Sequence, residues 1–215
     1  NVGFGFWSHD VEGPGGDHEM YARWLQLASY SGILRMHDRG MSAGGCMPWP
    51  ASPDTCATVR PWNVPLPFYE ANAESLRSRA ALLPYIYTSY RHAHDSGVGI
   101  TRPLYYAFPE EAQAYPASKD AILGQEPGSR QFFFGPELIV APVTAPASCT
   151  NTSGAPTYAP CGLTRMDVWV PPGKWFELHS GRLLQGPATL SREMHLYDIP
   201  VYARAGGVVP RRPLE

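Results

Sequence analysis

An α/β arrangement followed by an all-β one is the architecture to which these residues point, for three reasons. Over residues 1–108, short apolar runs alternate with longer stretches of helical period. Beyond residue 120 the helical period disappears, leaving short apolar runs punctuated by Gly and Pro. The apolar runs at 2–7 and 33–36 each lead into charged or imidazole side chains. That is the pattern of a parallel sheet or barrel with its chemistry at the strand ends. The organisation expected is therefore an α/β part over 1–118 and an all-β part over 119–215, joined through the linker-like PEEAQAYPASKD of residues 109–120.

The elements follow in order. VGFGFW, residues 2–7, alternates aromatic and small side chains and is expected to be a strand buried on both faces, ending where Ser8, His9 and Asp10 begin. GPGG, residues 13–16, breaks it, and Asp17 is a good N-cap for a helix carrying Met20, Tyr21, Trp24, Leu25, Leu27 and Ala28 on one broad face, closed by Gly32. ILRMH, residues 33–37, is expected to be a second strand delivering Arg35 and His37. The Gly- and Pro-rich loop that follows to Trp62 is long enough to be functional or stapled.

From about Phe68 to His94 the spacing of Leu76, Ala80, Leu83 and Tyr87 predicts one helical face, with a kink at Pro84, which cannot donate an amide to Ala80. GITRPLYYAF, residues 99–108, is expected to be a third strand of the same rhythm. QFFF, ELIVAPV, MDVWV, KWFELH, IPVYARA and GVVP then supply the strands of an antiparallel β-sandwich, with PPGK as a hairpin turn.

The chain has 215 residues, 44% of them apolar, and a formal charge of −2 without long runs of one sign. That leaves no electrostatic footprint for nucleic acid or an anionic membrane, and no stretch approaches the roughly 18 apolar residues of a span. Small neutral substrates fit better. The aromatic content of 12% suits stacking on sugar rings, although aromatic-rich cores are the commoner cause. Cys46 with Cys56, and Cys149 with Cys161, flank loop-like segments; two local disulfides are one of three connectivities, and free thiols are the alternative. Asn151 opens the sequon Asn151-Thr152-Ser153. Paired cysteines and a sequon favour the secretory pathway or the cell exterior.

Three readings compete for His9, Asp10 and Glu12. Asp10 could grip neighbouring hydroxyls of a sugar at a barrel mouth, with His37 reaching the same ring. His9, Asp10, Glu12, His18 and Glu19 could hold a metal, although His9 and Asp10 face opposite sides of an extended strand. Or Asp10 caps a backbone turn and His37 satisfies a buried carbonyl.

FWSHDVEG, EMYARWLQLASYSGILRMHD, LRSRAALLPYIYTSYRHAHDSGVGITRPLYYAFPEE, FFFGPELIVAPV and IPVYARAGGVVP, in that order, resemble glycoside hydrolase family 31, the retaining α-glucosidase and α-xylosidase group. The resemblance implies the C-terminal part of a (β/α)₈ TIM barrel followed by an antiparallel β-sandwich. It implies that Asp10 matches the family's substrate-binding aspartate and His37 its subsite −1 histidine. Arg35 matches the basic residue two places earlier that orders pocket carboxylates, and Trp7 belongs to the WSHD form of the motif, making Asp10, His37, Trp7 and Arg35 the expected substrate-binding residues. Pro14 stands where many members place an aromatic, and the loop from Arg39 to Pro61 looks longer than usual.

The family's nucleophile and acid/base aspartates lie in motifs that precede this stretch, so no catalytic residue is expected within it. The missing N-terminal part of the same protein and an oligosaccharide substrate are the partners implied, with no metal or organic cofactor. A non-catalytic carbohydrate-binding or regulatory piece is the alternative of a different class.

Overall fold

Two four-residue strands, β1 (Ser8–Val11) and β2 (Ile33–Met36), run parallel, connected through α1 (His18–Ser29). Alternation sorts their side chains: Val11, Leu34 and Met36 pack with Tyr21, Leu25 and Ala28 of α1, while Asp10 and Arg35 take the other face. The computed structural model describes residues 7–11, 18–36, 61–62, 64–115, 130–147 and 162–214. Most of the strand expected over 2–7 thus lies outside the described residues. The strand that is described contains Ser8, His9 and Asp10 within its ladder, not beyond its end.

The single long helix expected after Phe68 is two, α2 (Leu66–Ala81) and α3 (Leu83–Ser96), broken at Leu82. Pro84 has no amide for Ala80 O. Arg212 takes its place, donating from Nε to Ala80 O at 2.8 Å and from its backbone N to Ala81 O at 2.9 Å. The break also rotates the apolar face. Leu83 and Tyr87, expected inside, are exposed, and Leu82, Tyr85, Ile86 and Ser89 are buried instead.

The remaining strands are β3 (Thr101–Pro103), β4 (Phe132–Phe134), β5 (Leu138–Val140), β6 (Thr164–Glu177), β7 (Leu183–Met194) and β8 (Val201–Arg204). They form one six-stranded antiparallel sheet in the order β3-β4-β5-β8-β6-β7. Its first strand corrects the sequence reading: Thr101–Pro103 does not extend the parallel rhythm but pairs with β4, so the boundary expected at 118 falls after a strand of this sheet. Phe134, Leu138, Val140 and Val201 pack with Tyr30, Tyr85 and Ile86 on the helical side of the sheet, and Phe133, Ile139 and Tyr202 pack with Leu104 and with Trp169 and Trp175 of β6 in a second core cluster.

PPGK is not a turn. β6 runs through it to Glu177, advancing from Val170 to Gly173 while β7 advances only from Ala188 to Gly186, so β6 carries one bulged residue. Gly186 permits this, since a Cβ there would stand 1.9 Å from Pro171 O. The chain reverses instead between Glu177 and Leu183, where Gly181 N donates to Glu177 O at 2.8 Å.

α1 is stapled to the sheet's flanking loops by polar groups. Arg23 Nη1 donates to Asp198 O at 3.0 Å and to Leu196 O at 3.3 Å, and Gln26 Nε2 donates to Leu196 O at 2.6 Å. Glu19 Oε1 accepts from Ala147 N at 3.0 Å and lies 3.5 Å from Arg23 Nε. α3 is fastened by Tyr85, whose hydroxyl donates to Phe134 O at 2.7 Å and accepts from Glu137 N at 3.0 Å.

Burial pushes the phenols of Tyr30 and Tyr85 up to about 12 from 10.0. The unfolded chain ionises first, so the stability carried by the protonated phenols is complete below about pH 10 and is lost as pH rises towards 12. Thermal denaturation of Tyr85→Phe in the full-length protein should show a loss of about 1–3 kcal/mol near neutrality, from the stranded carbonyl and amide. It should also show a shallower decline of Tm between pH 10 and 12 than the parent protein. Equal alkaline slopes would mean that Tyr85 titrates as in an unfolded chain.

Candidate functional site

The parallel ladder sets Ser8 opposite Ile33, His9 opposite Leu34, Asp10 opposite Arg35 and Val11 opposite Met36. Because α1 covers the His9/Val11 face, Asp10 and Arg35 share the opposite face. Arg35 Nε lies 3.1 Å from Asp10 Oδ1, with the two side chains 54% and 53% exposed. A pair this exposed contributes at most about 1 kcal/mol to folding, so its geometry matters more than its energy. The guanidinium fixes one carboxylate oxygen of Asp10.

Trp7 shares the parity of His9 and Val11, opposite to Asp10. Its Nε1 lies 3.4 Å from His9 Nδ1, and the two rings meet edge-on with centroids 6.1 Å apart. Donation from the indole makes Nδ1 the acceptor and places the proton of a neutral imidazole on Nε2. Desolvation lowers the His9 pKa below 6.5.

Two members of the alternative metal-binding set, His18 and Glu19, are engaged elsewhere. His18 packs against Phe68, with centroids 5.5 Å apart, and Glu19 is engaged with Ala147 N and Arg23. Among the described residues no group of three or more His, Cys, Asp or Glu side chains is arranged for a metal ion. His37, Glu12, Pro14, the four cysteines (Cys46, Cys56, Cys149 and Cys161) and Asn151 lie outside the described residues. No helix among the described residues is long and apolar enough to cross a membrane.

Two clefts occupy other parts of the molecule. One of ≈ 530 Å³ is lined by Glu177, His179, Arg192 and Asp198, and one of ≈ 500 Å³ lies between α1 and the segment Pro142–Pro146. Neither is lined by Asp10 or Arg35. Sequence reasoning did not single out buried Arg23 and Gln26 or half-buried Arg79, the polar residues that hold α1 and the turn into β2; the only available signal was polar residues set into apolar helix faces.

The family model described as "Glycosyl hydrolases family 31 TIM-barrel domain" matches residues 1–89, and that of the "Glycosyl hydrolase family 31 C-terminal domain" matches residues 97–209. The chain belongs to glycosyl hydrolase family 31. Among curated relatives, a neutral alpha-glucosidase AB from Sus scrofa is 28% identical over 98% of this chain and 18% of its own length. An alpha-xylosidase from Saccharolobus solfataricus is 25% identical over 89% and 21% respectively.

Among solved structures, a cycloalternan-forming enzyme from Listeria monocytogenes, in complex with a pentasaccharide substrate, superposes with a TM-score of 0.71 at 25% identity, covering 97% of this chain and 17% of that one. An alpha-xylosidase from Xanthomonas citri gives 0.64 at 27% identity, covering 92% and 17%. The chain spans about a fifth of the length of the curated relatives it matches.

For His9, the unfolded chain binds the proton more readily than the folded one, so stability is lost as pH falls through 6.5. Following the imidazole by NMR should give a titration midpoint below 6.5, with Trp7 fluorescence changing over the same interval. A midpoint at or above 6.5 would contradict the burial of this ring.

Proposed function

We propose that the chain supplies the sugar-gripping wall of a retaining α-glycosidase acting on oligosaccharides with terminal α-linked glucose or xylose. Its helical half is read as the C-terminal part of the (β/α)₈ catalytic barrel, and its six-stranded sheet as part of the β-sandwich that follows. The observation carrying the reading is the Asp10–Arg35 pair on the face of two adjacent parallel strands opposite α1. Active sites of such barrels are assembled on strand ends. The names of the curated relatives, an alpha-glucosidase and an alpha-xylosidase, support the substrate class.

In this reading Asp10 accepts hydrogen bonds from two neighbouring hydroxyls of the glycosyl ring. Its negative charge faces the oxocarbenium character that develops as the glycosidic bond breaks. Arg35 aims the carboxylate, and His37, the residue that follows β2 in sequence, is read as a second ligand of the same ring. The nucleophile and the acid/base belong to residues outside these 215, since retaining chemistry requires carboxyl groups about 5–5.5 Å apart across the scissile bond. The chemistry calls for neither metal nor organic cofactor.

Incubated with p-nitrophenyl α-glucoside or α-xyloside, the 215-residue chain should release no nitrophenol above background. Saturable turnover would place the catalytic pair inside it. In the full-length protein, Asp10→Asn should lower kcat/KM on the order of 10²- to 10³-fold through lost transition-state binding. An unchanged value would leave Asp10 with a structural role only.

A further inference from the structure

The turn that leads into β2 is held from outside by one side chain. Arg79, on α2, spreads its guanidinium over the end of α1: Nη1 donates to Ser31 O at 2.6 Å and to Ser29 O at 3.1 Å, and Nη2 donates to Gly32 O at 2.9 Å. Ala28 O lies 3.5 Å from the same Nη1. The hydroxyl of Ser31 sits 2.6 Å from Ala28 O and 2.7 Å from Ile33 O. From α3, the Tyr90 ring fills the space beside Gly32, where an added Cβ would stand 2.1 Å from its hydroxyl. The ladder then begins at the next residue, with Ile33 N donating to Trp7 O at 3.1 Å. That bond starts the register that sets Asp10 opposite Arg35.

We infer that Arg79 is a positioning residue for the sugar-binding pair: by fixing the last carbonyls before β2 it fixes the β1–β2 register, and so holds the Arg35 guanidinium against Asp10. The role presupposes the reading of Asp10 as a sugar ligand. Its physical basis is the period of the strand. A slip of one residue would carry Leu34 or Met36 to the position opposite Asp10 and turn Arg35 towards α1. Only a planar fork reaches several carbonyls at once; a lysine ammonium, as a single point of charge, cannot span Ser29, Ser31 and Gly32 in the same way. Arg79 also differs from an ordinary helix cap, because it continues past the end of α1 to the residue adjoining the strand.

The test is a double-mutant cycle in the full-length protein. Arg79→Gln and Arg79→Lys are each made alone and with Asp10→Asn, reading Tm, kcat and KM on whichever p-nitrophenyl α-glycoside the protein cleaves. Arg79→Gln should lower kcat/KM about tenfold and Arg79→Lys somewhat less, whereas in the Asp10→Asn background the further loss should be under about twofold. Should Arg79→Gln fail to fold, Arg79→Lys carries the same comparison. A lowered Tm with unchanged kcat/KM, or a loss of equal size in both backgrounds, would show that Arg79 only caps α1 and would overturn the positioning role alone. If Asp10→Asn itself matches the parent protein, the sugar-binding reading fails and this role fails with it.

Discussion

The carbonyl oxygens at the end of α1 need donors, and the position of β2 depends on where those donors come from. A buried carbonyl without a partner costs about 1–3 kcal/mol, so the Ser29, Ser31 and Gly32 carbonyls together are a strong constraint. Arg79 meets it from α2. The same device recurs at the other side of the helix, where Arg23 and Gln26 donate to the Leu196 and Asp198 carbonyls next to the sheet. α1 is thereby bound to α2 at one end and to the loop before β8 along its flank. Side chains that donate to backbone carbonyls set the geometry on which the exposed Asp10–Arg35 pair relies.

That arrangement explains why so weak an ion pair can be well aimed. Neither Asp10 nor Arg35 gains much by pairing in water. Their alignment comes from the β1–β2 ladder, which is fixed at its start by Ile33 N and Trp7 O and in its facing by Val11, Leu34 and Met36 against α1. The six-stranded sheet contributes indirectly. Its helical face packs on Tyr85, Ile86 and Tyr30, and Arg212 from the segment after β8 completes the broken junction of α2 and α3. The helices that grip the wall are themselves seated on the sheet.

Much of this was legible in the residues. Short apolar runs marked Ile33–Met36, Phe132–Phe134, Leu138–Val140 and Val201–Arg204, because strands set against a core read as brief apolar stretches between turn residues. Pro84 announced a helix break, since a missing amide is a local property. The partnership of β3 was not legible: Thr101–Pro103 looks like any short strand, and only tertiary pairing with Phe132–Phe134 assigns it to the antiparallel sheet. The PPGK bulge was misread as a turn because Pro and Gly signal both, and the deciding close approach of Gly186 to Pro171 O comes from a distant strand.

Of the candidate site, Asp10 and Arg35 were both found in the sequence, and the structure brings them together in register. Their supporting arginines were not, since a guanidinium aimed at backbone carbonyls has no sequence motif. The face on which each side chain projects was also hidden until β1 and β2 were seen to be parallel, because the strand boundary near Ser8 decides which of His9 and Asp10 meets the helix.

The most direct measurement is a crystal structure of the full-length protein with a monosaccharide product, glucose or xylose, bound in its active centre. The account predicts both Asp10 carboxylate oxygens within hydrogen-bond distance of adjacent ring hydroxyls, with Arg35 still paired to the carboxylate from behind. A sugar seated elsewhere, with Asp10 and Arg35 facing only solvent or protein, would contradict it.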